Sequence, residues 1–546
     1  MRTACAFAAA LMLSSAAGGC AILAPFPDVA PDPEEPSGPG GSGAGGVCEP
    51  HTTRACYTGP KRTEGVGVCH GGVQACNSEG TRWGPCEGEV KPSQEDCSTA
   101  ADESCDGAGC GGSHVESAGF GGAGEQRGSA ISVAAAGLVL AGQASGPVDF
   151  GEGELAERGS PSKLDGVLAA FDPAGTLRWS QRFSDCIPRA VAQSTSGDII
   201  LAGGAEGDVD FGGGVLSGVG NGEDVVLARF DTQGVHLWSR RVGNGANQFA
   251  TAVAVDAVGN TVATGTFWGK LDFGPSWARK EGDEVKIESA GESDGFVVKL
   301  DADGETVWSL RFGDADNHQA GTAVAVDGQD NVVVAGWFKG VMDLGAGLTS
   351  TGETDLFVAK LSPAGDLLWV RMAPSTNAGK ALGLAVDGAG NVVVVGSFRS
   401  SIQIGETTLT TAGDKDAVLI KLDENGTPLW ARSFGDDADQ EALGVSVDPA
   451  GNVLVTGAFL GRIGVGSNEL VSKGAADAFL VKLDPGGNLR WARSFGDLGA
   501  QGGAAVAADA LGNAWATGYF NGAPDFGGGA IQSRGASDIF LVALGP

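Results

Sequence analysis

The chain has 546 residues, of which 42% are hydrophobic and 93 are glycine. This composition excludes a disordered chain and favours a turn-rich all-β protein with several domains or one large repetitive domain. The 67 acidic residues outnumber the 35 basic ones, and the formal net charge is −32. Such a chain repels phosphate backbones, so nucleic-acid partners are excluded.

The first residues have the pattern of an export signal. Arg2 precedes a short apolar stretch from Ala4 to Ala17, which is too short to span a bilayer as a mature helix. The segment 17–20, Ala-Gly-Gly-Cys, resembles a bacterial lipobox, in which the cysteine is acylated. We therefore predict a signal peptide over 1–19 and lipidation of Cys20. The expected location is the outer membrane or cell surface, or the exterior if the lipobox is not used.

A tether and a cysteine-rich module follow. Residues 20–47 are rich in Pro, Gly and Ser and predict a flexible tether. Residues 48–110 contain an even number of cysteines, which in a short exported segment predicts a disulfide-stapled module with open connectivity. Zinc is the alternative, although His51 and His70 do not complete paired ligand knuckles. The predicted disulfide cysteines are Cys48, Cys56, Cys69, Cys76, Cys86, Cys97, Cys105 and Cys110.

From residue 111 to residue 546 the chain repeats itself. An aspartate opens an apolar strand in each repeat, and each repeat contains four short strand patterns. Seven repeats of this kind predict a seven-bladed β-propeller over 111–546. The marking aspartates are Asp165, Asp224, Asp294, Asp355, Asp416, Asp477 and Asp538.

The two ends of the repeat region differ from the complete repeats between them. The last repeat has no fourth strand after Asp538, and an extra strand from Val115 to Phe120 precedes the first repeat. We predict that this strand completes the last blade, which closes the ring and removes open sheet edges.

Three recurring residues have predicted structural roles. An Asp and a Gly-Asn pair, as at Asp387 and Asn391, indicate a tight hairpin, with calcium binding as the alternative. A glycine near the end of every second strand, such as Gly336, predicts close packing between blades. A tryptophan on the last strand, such as Trp369, predicts a cover for the outer edge of the blade, with ligand stacking as the alternative.

The repeats resemble a family named SBBP for its seven-bladed β-propeller repeats. The shared motifs are Asp-x-Phe-x-x-Lys-Leu, x-x-Trp, Val-Asp-x-x-Gly-Asn-Val and Val-x-Gly-x-Phe, and they cover residues 114–546. The cysteine-rich segment, with Asp-Glu-x-Cys-Asp-Gly over 102–107, resembles modules of bacterial surface proteins. The resemblance implies a surface lipoprotein and its architecture, without a reaction.

Carboxylates cluster in the connections between successive blades. They can bind Ca²⁺ or hold a polar ligand, because hard oxygen ligands suit a hard cation. Solvated turns are one alternative, and paired acids for glycoside cleavage are another. The candidate metal ligands are Asp314, Asp316, Asp436, Asp437 and Asp439, with Asn317 and Asp497 beside them.

The sequence presents no recognisable catalytic constellation. The five histidines show no cluster, so serine hydrolase, thiol protease and zinc protease sites are unsupported. We predict a non-catalytic envelope or surface lipoprotein whose propeller binds an envelope protein or a glycan, with no catalytic residue and calcium as the one candidate cofactor. The alternatives are a polysaccharide-acting hydrolase or lyase and a structural envelope spacer.

Overall fold

The computed structural model describes residues 48–59, 64, 69–91, 112–158, 163–274, 286–290, 292–465 and 468–546. All regular elements in these ranges are β-strands, which confirms the predicted all-β class. No helix in them has the length and apolar character needed to cross a membrane. The predicted signal peptide, Cys20, the tether and the module boundary at residue 110 lie outside the described residues.

The described residues form two compact units. Residues 48–54 and Gln74–Pro85 belong to one unit, and the remaining described residues belong to the other. The disulfide Cys48–Cys76 lies within the small unit. The disulfide Cys56–Cys86 lies within the large unit, and Cys69 is also disulfide-bonded. The predicted disulfides are therefore present at these five cysteines, while Cys97, Cys105 and Cys110 lie outside the described residues.

The strands Thr53–Cys56 and Gly72–Ala75 pair in the cysteine-rich region. The sheet is short and much of its surface is exposed, and the side chains of Cys69 and Cys76 supply buried apolar surface. Each cross-link in such a segment contributes about 2–4 kcal/mol by restricting the unfolded chain. Disulfides rather than a hydrophobic core therefore stabilise this segment.

The large unit contains seven antiparallel sheets of four strands each, which we number as blades 1 to 7. The first to fourth strands are Glu125–Ala134, Gly137–Ser145, Asp165–Phe171 and Leu177–Phe183 in blade 1; Cys186–Gln193, Ile199–Ala205, Asp224–Phe230 and His236–Val242 in blade 2; Gln248–Val255, Thr261–Phe267, Asp294–Leu300 and Thr306–Phe312 in blade 3; Gln319–Val326, Val332–Phe338, Asp355–Leu361 and Leu367–Ala373 in blade 4. They are Gly379–Val386, Val392–Phe398, Asp416–Leu422 and Pro428–Phe434 in blade 5; Gln440–Val447, Val453–Phe459, Asp477–Leu483 and Leu489–Phe495 in blade 6; Gln501–Ala508, Ala514–Phe520, Asp538–Leu544 and His114–Phe120 in blade 7.

The blades form a closed ring. The first strand of each blade contacts the first strand of the next, and blade 7 contacts blade 1. The third strands are buried along their whole length, for example Asp416–Leu422, and so are the second strands of blades 2, 3 and 5. Their apolar runs are continuous rather than alternating because neighbouring blades cover both faces. The predicted seven-bladed propeller is confirmed.

Blade 7 is completed from the other end of the chain, as predicted. The strand His114–Phe120 pairs antiparallel with Asp538–Leu544. Beyond it, the Gly545 amide donates to the Ser113 carbonyl at 2.8 Å. The covalent turn that joins the third and fourth strands of the other blades is thus replaced by hydrogen bonds between the two chain ends.

A short two-stranded hairpin, which the sequence did not predict, lies between the second and third strands of blades 1 to 6. Blade 7 has a single bridge, between Asp525 and Ala530, at this place. The hairpin strands are Val148–Asp149 with Glu154–Leu155, Val209–Asp210 with Val215–Leu216, Lys270–Asp272 with Lys286–Glu288, Val341–Asp343 with Gly347–Thr349, Ser401–Ile404 with Thr407–Thr410, and Arg462–Val465 with Asn468–Val471.

The second-strand glycines make their nearest contacts within their own blade, and the predicted packing between blades at these positions stays a prediction. A Cβ on Gly336 would lie 2.0 Å from the Ala320 carbonyl and 2.9 Å from the Phe357 ring, both in blade 4. Beside this glycine the first strand bulges, with one extra residue between Gly321 and Ala323. The glycine gives the bulged strand room to approach.

Candidate functional site

Asp314, a predicted metal ligand, is occupied by hydrogen bonds of its own loop between blades 3 and 4. It accepts the amides of Asn317 at 2.9 Å and Val341 at 2.7 Å and the Gln319 side chain at 3.2 Å. Partial burial acts to raise its pKa, but these hydrogen bonds outweigh burial and hold the pKa below its usual value. The carboxylate therefore fixes the connection between the two blades.

The same arrangement recurs at later junctions. Asp436 accepts the Arg462 amide and the Gln440 side chain, at 2.7 and 2.8 Å. Asp497 and Gln501 make the equivalent contact at 2.7 Å. Each glutamine begins a first strand and also donates to the carbonyl that directly follows the second strand, which ties three segments together.

The remaining predicted ligands lie in the same loops. Asp316 and Asp437 are exposed, and Asp439 lies 3.8 Å from the ammonium of Lys415. The hydrogen bonds of Asp314 and Asp436 serve two different junctions, the first between blades 3 and 4 and the second between blades 5 and 6. Across the described ranges no three acidic, histidine or cysteine side chains come together as a metal site would require. Calcium binding by these residues stays a prediction.

The Asp and Gly-Asn pairs are hairpin residues. Asp387 accepts the amides of Ala389 and Asn391 with one oxygen, and the Asn391 side chain and Lys421 with the other. Burial acts to raise the pKa of Asp387, but the Asn391 and Lys421 hydrogen bonds lower it below its usual value. The lysine also reaches the Pro485 carbonyl of the next blade at 3.4 Å.

The tryptophans of the fourth strands join neighbouring blades rather than offering stacking surfaces. The Trp369 indole donates to the Glu424 carbonyl of the next blade at 3.0 Å. Gly426 lies against the face of this ring, where a Cβ would come within 2.9 Å. Trp308 makes the equivalent bond to Pro363 at 3.1 Å and is 2% exposed.

A cavity of about 500 Å³ lies at the ring axis. It is lined by the first strands of all seven blades, and none of the predicted site aspartates is among the described residues of its wall. Each first strand carries one extra residue at a β-bulge, and the bulge turns this residue into the cavity. The seven bulge residues are Ser129, Arg189, Thr251, Thr322, Leu382, Leu443 and Ala504.

The bulge ring, formed by these seven residues, has a polar arc and an apolar arc. Blades 1 to 4 contribute two threonines, a serine and an arginine, and blades 5 to 7 contribute leucine and alanine. In the polar arc the Thr322 hydroxyl lies 3.2 Å from the Ala335 carbonyl of its own blade and 2.8 Å from the Ala381 carbonyl of the next. Thr251 and Ser129 make the same two contacts, so these hydroxyls join first strands while facing the axis.

Cations lie over aromatic rings at the mouth of this cavity. The Arg127 guanidinium lies 4.6 Å from the Tyr519 ring centre, and both residues line the wall. Arg189 lies 4.3 Å from Phe249 and forms a two-point ion pair with Glu223. Such pairs offer a flat aromatic edge and a charge together.

A third pair has the same position in the repeat as the first. Lys380 and Arg127 each lie two residues before the bulge residue of their first strand. Lys380 lies 4.5 Å from the ring of Trp337, which follows the second-strand glycine of its blade as Tyr519 does in blade 7. Lys380 and Trp337 are half-buried, so they remain accessible at the junction of blades 4 and 5.

His318 contacts a hydroxyl and a carboxylate between blades 3 and 4. Its Nδ1 lies 2.9 Å from the Ser293 hydroxyl and its Nε2 lies 2.6 Å from Glu292. These three groups are the types that hydrolytic triads use. Ser293, however, is only 3% exposed and its backbone pairs with Gln319, so the contact fastens two blades rather than presenting a nucleophile.

A second cavity, of about 450 Å³, lies at the opposite end of the axis. It is lined by the turns that follow the first strands, including Ala134, Asp387, Asp448 and Asp509. Asp387 and Asp448 are held by lysines of their own blades, and Asp509 by Asn513 and the Trp515 indole. These groups are committed to turn geometry, which makes the bulge-ring mouth the better candidate for ligand binding.

Two curated proteins are similar to parts of this chain. An alignment of 372 positions, which covers 55% of this chain, is 23% identical to an uncharacterized WD repeat-containing protein of Acanthamoeba polyphaga mimivirus. A segment covering 30% of the chain is 24% identical to the regulatory protein FlaEY of Caulobacter vibrioides. The chain spans only 26% and 16% of the length of these two proteins. No protein-family model matches the chain.

Solved propeller structures align with most of the chain. The Neurospora crassa Pan2 WD40 domain aligns with 80% of this chain and 98% of its own length, at 11% identity and a TM-score of 0.40. The Pyrococcus horikoshii acylaminoacyl peptidase aligns with 75% of this chain and 52% of its own length, at 11% identity and a TM-score of 0.38. The chain is a seven-bladed β-propeller scaffold, and one of its curated relatives is a WD repeat-containing protein.

Proposed function

We propose that this protein is a non-catalytic interaction scaffold that binds its partner at the mouth of the bulge ring. The observation that carries the proposal is the composition of that mouth, where a polar arc, an apolar arc and the ring-bound cations Arg127 and Arg189 line one axial opening. Lys380 and Trp337 have the place in the repeat that Arg127 and Tyr519 have in theirs. Protein and ligand sites combine apolar surface with a few placed polar groups in this way.

The chemistry of the mouth limits the partner. Arg127 is 45% exposed along its side chain and Arg189 25%, in a chain whose net charge is −32. A partner with acidic or hydroxyl groups beside an apolar segment matches this opening. Envelope proteins and glycans can each supply such groups. Electrostatic attraction of this kind mainly sets orientation and association rate.

Capture from intact envelopes tests this function. The mouth variant carries Arg127→Ala and Lys380→Ala, and the control carries Val258→Ser and Leu511→Ser in exposed first-strand turns at the other end of the axis. All three proteins must first melt at the same temperature. We expect the wild type and the control to be crosslinked to the same partner, and we expect the mouth variant not to be crosslinked to it. Identical captures would exclude this face and favour the spacer alternative.

We also propose that the protein is a bacterial surface lipoprotein of the SBBP type, anchored through Cys20. The small residues before Cys20, the Pro- and Gly-rich segment after it and the repeat motifs of the propeller support this assignment. Cys20→Ala should move the protein from the membrane fraction to the soluble fraction. Unchanged partitioning would refute the anchor without affecting the binding proposal.

A further inference from the structure

The last residue of each fourth strand packs into the next blade, and blade 4 has the smallest side chain at this position. Five blades use phenylalanine and one uses valine, while blade 4 has alanine. The residues, from blade 1 to blade 7, are Phe183, Val242, Phe312, Ala373, Phe434, Phe495 and Phe120. The junction between blades 4 and 5 therefore lacks an aromatic ring that most junctions contain.

The side hairpin of the next blade does not replace this ring. At other junctions the hairpin supplies a second aromatic group: the ring centres of Phe183 and Phe211 are 5.0 Å apart, and those of Phe495 and Phe526 are 5.3 Å apart. At the junction of blades 4 and 5 the hairpin residue is Ile404, in the same apolar cluster as Ala373. This junction thus has neither ring.

The residue opposite position 373 fills part of the space. Most of the fourth-strand phenylalanines face small partners, as in Gly295 opposite Phe312. Opposite Ala373 lies Leu356, which is buried. A cavity of about 290 Å³ nevertheless remains between the two blades.

The wall of this cavity is apolar. It includes Leu356, Val358, Met372, Ala373, Ile404 and Ile420. The Arg371 side chain also lines it, and its guanidinium donates to the carbonyls of Val370, Asn425 and Gly426. A small apolar molecule would bind here by removing apolar surface from water, and the Arg371 guanidinium already has backbone carbonyls as partners.

We propose that the cavity between blades 4 and 5 is a binding site for a small molecule with a single aromatic ring. The repeat itself defines the shape, because the equivalent place in five other blades holds a phenyl ring of this chain. The site is separate from the bulge ring and does not depend on the function proposed above. The apolar wall suits an uncharged ring, and a cationic ring is disfavoured because the described residues of the wall include no acidic side chain.

Fluorine NMR of para-fluorotoluene, titrated with the full chain, tests the proposal. We expect saturable broadening of the ligand signal with the wild type. The variant Leu356→Ala/Ala373→Phe restores the small–large pair that blade 5 has at Ala417 and Phe434, and it should bind about tenfold more weakly or not at all. No saturable binding to the wild type would overturn the proposal, as would equal binding to the filled variant.

Two further variants keep the test decisive. Ala373→Met fills the cavity with a flexible side chain and should also weaken binding if the double variant does not fold. Phe434→Ala opens the equivalent space between blades 5 and 6 and should add a second binding event. A melting temperature within the range of the wild type is required of each protein before titration. Binding that Ala373→Met leaves unchanged would place the ligand elsewhere and refute the site.

Discussion

Blades 1 to 3 and blades 5 to 7 share every strand but treat the same buried carboxylate differently. The aspartate that opens the third strand is almost fully buried in both groups. In blade 1 it is paired with an arginine, as in Asp165 and Arg182 at 2.7 Å, and blades 2 and 3 repeat this pair. In blade 6 the position of the arginine is Ser494, and Asp477 has no cation within ion-pair distance in the described chain.

The unpaired aspartates hold their protons more tightly. Burial raises the pKa of Asp477 to about 6, and burial also raises the pKa of Asp416 and Asp538. The pKa of Asp294 is raised by burial as well, although its hydrogen bond to Arg311 opposes the change. The fold therefore accepts this carboxylate with an arginine in blades 1 to 3, and without one, at a raised pKa, in blades 5 to 7.

The bulge ring divides the same way. Blades 1 to 3 place hydroxyl or guanidinium groups at the axis, and blades 5 to 7 place Leu382, Leu443 and Ala504 there. The same backbone position thus presents polar side chains in blades 1 to 3 and apolar side chains in blades 5 to 7. The shared backbone positions define the fold, and the positions that differ between the two halves define where the ring can discriminate a ligand.

The largest expected loss of stability comes from breaking an Asp–Arg ion pair in blades 1 to 3. Arg182→Met leaves Asp165 buried without its cation and also removes donors to the Gly146 and Leu155 carbonyls. We expect a loss of about 3–5 kcal/mol in the free energy of unfolding. Urea denaturation monitored by tryptophan fluorescence measures it.

Ser494→Met at the same position of blade 6 is the matched control. No charge loses a partner there, so the change should cost less than about 1 kcal/mol. Equal losses in the two variants would contradict a special role for the arginine pairs of blades 1 to 3.

Removing the charge of an unpaired aspartate in blades 5 to 7 should raise the stability of the protein at neutral pH. The pKa of Asp477 rises from its ordinary value of 3.8 to about 6 in the folded protein. The folded state therefore holds a proton that the unfolded chain releases, and stability falls as the pH rises through this window. Asp477→Asn keeps the shape, removes the charge and should stabilise the protein by about 1–2 kcal/mol near pH 7.

Denaturation midpoints of wild type and Asp477→Asn across the range from about pH 4 to pH 7 test this sign. The two proteins should converge at the acid end and diverge at the neutral end. Asp165→Asn, the control in blade 1, should destabilise at neutral pH because it weakens the bond to Arg182. A gain in stability for Asp165→Asn would show that burial outweighs pairing in both halves.

Much of the fold can be predicted from the sequence because each blade has its own marks. The third-strand aspartate and the fourth-strand tryptophan recur from blade to blade, so counting the aspartates gives the number of blades. The strand from Val115 to Phe120 and the missing final strand imply closure, because an unpaired edge is unfavourable in a ring. The side hairpins could not be predicted because two to four residues leave too short a hydrophobic pattern.

The candidate site is harder to predict. A bulge adds one residue inside an apolar run, and the sequence around Thr322 does not show which residue is extra. One signal exists: the bulge residue lies three positions after the glutamine that begins the strand, as Thr322 follows Gln319. The loop aspartates suggested a cation site because their true partners, such as the Gln319 side chain, are defined only once the strand is in place.

The ion pairs of the first half also leave a trace in the sequence. In each of blades 1 to 3 the arginine follows its aspartate by 17 positions. The spacing is constant because the two residues lie on adjacent strands joined by a turn of fixed length. A position-by-position comparison of the repeats therefore separates the two halves of the ring on sequence alone.

The smallest expected effect concerns the indoles that join blades. Trp308 donates to the Pro363 carbonyl, whereas the buried Trp491 nitrogen in blade 6 has no acceptor among the described residues. Blade 7 takes its fourth strand from the segment that precedes blade 1. Gly112 of that segment therefore lies against the Trp491 ring, whereas the turn between the third and fourth strands of the next blade supplies the glycine for Trp308. Trp308→Phe should cost about 1 kcal/mol more than Trp491→Phe, because it alone leaves a carbonyl unpaired. Chemical denaturation of both variants measures the difference, and equal costs would mean that ring packing, not the indole hydrogen bond, joins the blades.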